Sequence, residues 1–122
     1  MIPTTLIRFM TEIGLPNVGV NLDPANFVIN GRANPVDAAR RLAPYIRGMH
    51  AKDAVHPIDT APKGREVKIG EGVVDFTAIL STLKTAGYDG SVTIEYEMKN
   101  TPDRTAELLS SKAYLEKLIS EL

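Results

Sequence analysis

Apolar and polar residues follow two rhythms along this chain, and the rhythms alternate. A helical spacing puts Leu6, Phe9, Met10 and Ile13 on one face of a helix over residues 4–13, with Thr4 as its N-cap and Gly14 as its stop. A period of two then marks a strand over 17–22, where Val18, Val20 and Leu22 share one face and Asn21 and Asp23 the other. Asn34-Pro35 opens a second helix with a capping residue and proline at its first position, burying Val36, Ala39 and Leu42 until Pro44 ends it. A second strand covers 46–51. A third helix begins at Asp75, buries Phe76, Ile79, Leu80 and Leu83, and stops near Gly87. A third strand spans 91–96, with Val92, Ile94 and Tyr96 opposed to Thr93, Glu95 and Glu97. The last helix follows Thr101-Pro102 and carries Leu108, Leu109, Leu115, Leu118 and Ile119 as its core stripe. Strands alternating with helices at this spacing predict βαβ units and a parallel sheet, an α/β fold.

The strands end on chemistry. Val18-Gly-Val-Asn-Leu closes on Asp23, Ile46-Arg-Gly-Met on His50, and Ser91-Val-Thr-Ile on Glu95. Parallel strands deliver their C-terminal ends to one face, where one Asp, one His and one Glu make a divalent-metal site of oxygen and nitrogen ligands. For Asp23 a turn or helix-capping role before Pro24 is the competing reading. His50 competes with a purely structural histidine, and as a ligand it needs an acceptor for its second ring nitrogen.

Bulk composition narrows the function classes. With 122 residues the chain is one domain or a piece of one, and 43% hydrophobic with 24% charged residues is ordinary for a globular protein. A net charge of −1 leaves no electrostatic footprint for nucleic acid. Without cysteine there are neither disulfides nor thiolate metal sites. No apolar run approaches a membrane span of ~20 residues and no signal-peptide pattern opens the chain, so the cytoplasm is the expected compartment. Residues 53–72 lack regular patterning and carry His56, Lys63, Arg65 and Lys68. A loop this long is expected to cover a substrate. Gly70-Glu-Gly72 lacks phosphate-loop spacing and reads as a turn into the Asp75 cap.

Asn21-Leu-Asp23-Pro-Ala-Asn26, Met49-His50-Ala-Lys52-Asp53, Ile69-Gly-Glu-Gly72-Val-Val-Asp75-Phe76 and Gly87-Tyr-Asp-Gly90-Ser-Val-Thr-Ile-Glu95-Tyr-Glu97 occur in that order. Together they resemble the sugar phosphate isomerase/epimerase family. This xylose isomerase-like TIM-barrel group also includes inosose dehydratases, hydroxypyruvate isomerases and endonuclease IV.

The resemblance implies a metal held by Glu, Asp, His and Glu from strands five to eight, with Asp23, His50 and Glu95 as the last three. It implies a divalent ion (Mn, Mg, Co or Zn) and a sugar, sugar phosphate or polyol substrate. The reaction would be proton transfer through a metal-stabilised enediolate, with Glu95 as one catalytic carboxylate. Asn26, Lys52, His56 and Arg65 become substrate-binding candidates, Lys52 as a point charge for a phosphate or enediolate oxygen.

A complete (β/α)₈ barrel takes ~250 residues. Residues 1–122 are accordingly expected to form a single partial domain, about strands six to eight, incomplete as a catalyst and associating as a homo-oligomer that covers its sheet edges. An inosose dehydratase-like lyase and a non-catalytic fragment remain open alternatives. The endonuclease IV type requires Asp-x-x-His, whereas Asp23 is followed by Asn26.

Overall fold

A computed structural model describes residues 1–122. In chain order the elements are α1 (Pro3–Ile13), β1 (Val20–Leu22), α2 (Pro24–Ile29), α3 (Pro35–Leu42), a 3-10 turn (Ala43–Tyr45) and β2 (Ile46–Ala51). They continue as β3 (Asp53–Val55), β4 (Arg65–Val67), α4 (Phe76–Thr85), β5 (Val92–Ile94) and α5 (Arg104–Ser120). β1, β2 and β5 form a parallel sheet with β2 in the middle. The helices cover the apolar face of that sheet, where Leu22, Met49, Ala51, Leu42, Phe76 and Ile79 are buried together.

Local signals account for most of the boundaries. The Asn34 side chain accepts from the N–H groups of Val36 and Asp37, and Asp75 and Asp103 accept from those of Ala78 and Ala106. Each satisfies amides that a helix start leaves unpaired. Gly14 ends α1 in the left-handed conformation at φ 57°, which a side chain disfavours. On α4, Phe76, Ile79, Leu80 and Leu83 all face the core as their spacing requires.

Several expectations are corrected. Thr4 does not cap α1: Pro3 fits the first helical position, so the helix starts one residue earlier and the Thr4 hydroxyl accepts from Arg41 instead. β1 and β5 are shorter than the strands expected over 17–22 and 91–96. A short helix, α2, follows Asp23, as the capping reading of that residue requires, although no apolar spacing marks it. Residues 53–72 are not free of regular structure, since β3 and β4 pair antiparallel within them. On α5 the buried positions are Ser111 and Leu115, flanked by half-buried Leu108 and Leu118, while Leu109 and Ile119 face outward. Where α5 passes the turn that carries Gly70, the neighbour of that glycine is the Tyr114 ring.

One irregularity shapes the site. The β1–β2 register runs Val20 with Ile46, then Asn21 with Gly48, so Arg47 is an extra residue on β2. The bulge sets Asn21 beside Gly48 and brings its side chain to the site face.

Candidate metal centre

Asp23 sits directly after β1 and does two jobs at once. As N-cap of α2 its Oδ1 accepts from the Asn26 backbone N–H at 3.1 Å, and its Oδ2 accepts from the Asn26 side-chain amide at 3.0 Å. The capping role is therefore real, and it fixes the carboxylate in place. His50 lies in β2, paired with Thr93. Glu95 follows β5, and its N–H donates to the Ala51 carbonyl at 3.0 Å, extending the sheet pairing by one residue.

One ligand atom each from Asp23, His50 and Glu95 lies within 4.8 Å of the others. With bonds of ~2.1 Å an ion spans ligand atoms up to ~4.2 Å apart, so shared coordination needs a small closing motion of the three groups and release of the carboxylates by the ammonium described next. His50 Nδ1 faces the cluster, 3.4 Å from Glu95 Oε2, while Nε2 faces the Asn21 amide at 3.2 Å.

Lys52 lies at the centre of the carboxylates. Its side chain is 2% exposed, and Nζ stands 2.7 Å from Glu95 Oε2, 2.7 Å from Glu97 Oε2 and 3.4 Å from Asp23 Oδ2. Burial alone would pull its pKa down, but the hydrogen bonds to Glu95 and Glu97 and the charges of Asp23 and Glu95 lift it well above the ordinary lysine value. The Lys52 hydrogen bond holds Glu95 below the usual carboxylate range, against the effect of its burial. Burial raises Asp23, with Lys52 opposing.

The donor set fits a divalent cation. Asp23, Glu95, Glu97 and the nearby Glu66 place four carboxylates around one ammonium. Further positive charge among oxygen ligands and an imidazole relieves the repulsion that remains.

The other sequence candidates divide. Asn26 is at the cluster, with its amide N–H committed to Asp23. Lys52 is there too, but its ammonium has three donors and each faces a carboxylate, instead of being open to a phosphate. His56 lines a separate open cleft with Arg32, Asn34 and Val73. Arg65 is exposed on β4, and the alternation of the strand sends it opposite to Glu66, which faces the cluster. The structure brings neither His56 nor Arg65 to the three ligand candidates.

Three further residues enter only with the structure. The buried Asp53 carboxylate accepts from the N–H groups of Ala54, Gly70, Gly72 and Val74, at 2.8–3.1 Å. It thereby ties the far end of the excursion back to the end of β2. A Cβ on Gly72 would collide with that carboxylate, which is why glycine stands there. The Glu66 carboxylate accepts from the Glu97 N–H with both oxygens, at 3.1 and 3.2 Å. Asn21 is the third. The sequence signals for these were the place of Asp53 in Met49-His50-Ala-Lys52-Asp53, the glycine pair in Gly70-Glu-Gly72 and the shared face of Asn21 and Asp23.

Parallel βα units with acid and imidazole groups at the strand ends define a protein of the α/β class. The xylose isomerase-like TIM barrel profile matches residues 3–118, so the chain belongs to that family. A xylose isomerase domain protein from Planctomyces limnophilus superposes with a TM-score of 0.90 at 36% identity, over 99% of this chain and 44% of that one. A xylose isomerase-like TIM barrel protein from Mycobacterium smegmatis, solved in complex with magnesium, shares the fold at a TM-score of 0.78 and 21% identity, over 98% of this chain and 40% of its own. In sequence, an L-ribulose-5-phosphate 3-epimerase (UlaE) of Shigella boydii is 40% identical over 63 residues, 51% of this chain and 22% of that protein. The chain thus spans less than half the length of the proteins it matches.

Proposed function

We propose that Asp23, His50 and Glu95 hold a divalent cation, and that Glu95 transfers a proton at a carbon beside the carbonyl of a sugar or sugar phosphate. This is an isomerase or epimerase reaction for which residues 1–122 supply part of the site. The observation that carries the reading is the convergence of the three groups, from the ends of three adjacent parallel strands, to within 4.8 Å. Membership of the family supports it, as does likeness to an epimerase of a pentulose phosphate. The magnesium in a fold neighbour agrees with oxygen-rich ligation.

When bound, the ion supplies Lewis acidity toward a carbonyl and its neighbouring hydroxyl. The remaining work falls to side chains. Asn26 holds the Asp23 carboxylate in one orientation. Lys52 keeps Glu95 ionised, as a base must be before it accepts a proton, until a cation takes over its share of the carboxylates. Glu66, through the Glu97 backbone, fixes the chain that follows Glu95.

We read the three strands as the last of the barrel, with a second glutamate for the opposite face of the substrate coming from a further strand. Turnover by residues 1–122 alone is therefore expected to be weak or absent.

Calorimetric titration with Mn²⁺ tests the ligand set. One site is expected, weakened at least tenfold by His50→Ala and by Glu95→Gln. Equal affinity in all three proteins overturns the reading. For the chemistry, solvent deuterium incorporation into L-ribulose 5-phosphate, followed by NMR, should be slow and should vanish in Glu95→Gln. Turnover matching that of full-length relatives would contradict the partial site.

A further inference from the structure

His50 has two ring nitrogens, and only one of them can be a ligand. Nδ1 faces Glu95 Oε2 at 3.4 Å, so it is the nitrogen aimed at the cluster. Nε2 faces away, with the Asn21 side-chain amide at 3.2 Å. An imidazole that ligates through one nitrogen carries its proton on the other, and that N–H needs an acceptor to hold the ring.

We propose that Asn21 is the positioning residue of His50: its amide engages Nε2 and so dedicates Nδ1 to the cation. The inference rests on the reading of Asp23, His50 and Glu95 as ligands and adds the device that sets the imidazole.

The amide serves both states of the site. In the arrangement described here Nδ2 points at Nε2, so Nε2 accepts and the ring proton sits on Nδ1, toward the Glu95 carboxylate. With a cation in place, Nδ1 gives up its proton and Nε2 carries one. A half-turn of the Asn21 amide then presents Oδ1 as acceptor. The ring releases no net proton, and no other side chain has to be replaced.

The backbone makes room for this. Asn21 pairs with Gly48 because of the Arg47 bulge, and a Cβ at Gly48 would lie 2.8 Å from Asn21 Oδ1. The open space over Gly48 is what lets the amide lie flat against β2 and turn.

The test combines Zn²⁺ affinity with long-range ¹H–¹⁵N correlation spectra of the imidazoles at pH 8, the His56 signals being assigned with a His56→Gln variant. Without metal, the wild-type His50 ring should be mainly protonated on Nδ1, and Asn21→Leu, of similar shape but without an amide, should show a mixture of tautomers. With zinc, the wild-type proton should move to Nε2. Asn21→Leu should bind zinc about ten- to hundredfold more weakly, the usual effect of removing such a partner, while Asn21→Asp, which keeps an acceptor, should bind within a few-fold of wild type. Gly48→Ala, which leaves Asn21 in place but crowds it, should weaken binding in the same direction and guards against misfolding of the leucine variant.

Unchanged tautomers and affinity in Asn21→Leu would overturn the proposal, as would equal losses in the Asp and Leu variants. If the wild type takes up no zinc, the ligand reading fails instead, and the metal-free tautomers still decide the role of Asn21.

Discussion

Lys52 carries the strongest constraint at the scale of single residues, because a fully covered ammonium needs its carboxylates as much as they need it. Removing one partner of a buried ion pair costs ~3–5 kcal/mol. Glu97 is 65% and Glu95 32% exposed, so water recovers part of the loss. Lys52→Met should therefore lower metal-free stability by about 3 kcal/mol in urea unfolding, and added Mn²⁺ should raise its midpoint more than it raises the wild type's. Equal midpoint shifts in the two proteins would count against competition between ammonium and cation for the same carboxylates.

Asp23, His50 and Glu95 were legible in the sequence because a strand-end position is a local property, readable from alternation alone. The burial of Lys52 was not. It depends on Glu97, which is 45 residues away and comes close only through the pairing of β5 with β2. For the same reason the partner of His50 Nε2 is not legible in the sequence: it depends on the bulge at Arg47.

At the scale of elements, the excursion between β2 and α4 is held by two carboxylates. Asp53 meets four backbone N–H groups, and hydrogen bonds to a charged acceptor contribute roughly 1.5–3 kcal/mol each. Asp53→Asn turns an amide N–H toward some of those donors. It should speed amide exchange at Gly70, Gly72 and Val74 at least tenfold, and unchanged exchange there would remove Asp53 from its role as a tie.

Glu66 provides a pH signature. Burial raises its pKa above the ordinary 4.5, with the Glu97 N–H opposing. A raised folded-state value contributes stability that is full below the unfolded pKa and is lost as pH rises through the folded one. Wild type should thus lose stability relative to Glu66→Gln as pH climbs through the range just above 4.5. A constant difference across that range contradicts the assignment.

Beyond the Gly70-Glu-Gly72 turn, the pairing within residues 53–72 was not readable, because strands of three residues such as β3 and β4 are too short to show alternation. The four long helices were legible, since each carries a capping side chain or a terminal proline or glycine. The outward turn of Leu109 and Ile119 was not. That face is chosen by where α5 packs, and leucine spacing on α5 allowed two stripes.

At the scale of the whole molecule, the parallel sheet has β1 and β5 at its edges, each paired on one side only. A cleft of about 360 Å³ runs beside β1, lined by Met1, Leu6, Val20, Asp23, Asn26 and Phe27. Unpaired strand edges next to partly apolar walls favour association. Sedimentation velocity should accordingly show residues 1–122 as a dimer or larger species, and a monodisperse monomer with little uptake of hydrophobic dye contradicts that expectation. The parallel α/β order was readable from the alternation of the two rhythms, whereas the pairing of β2 with both neighbours came only from the structure.

All three scales meet in the claim that three strand ends share one ion. A crystal of the chain soaked in Mn²⁺ and measured at the manganese edge addresses it directly. A single anomalous peak is expected within bonding distance, about 2.0–2.3 Å, of Asp23, His50 Nδ1 and Glu95. A peak elsewhere, or Lys52 unmoved among the carboxylates with no peak at saturating manganese, would contradict it.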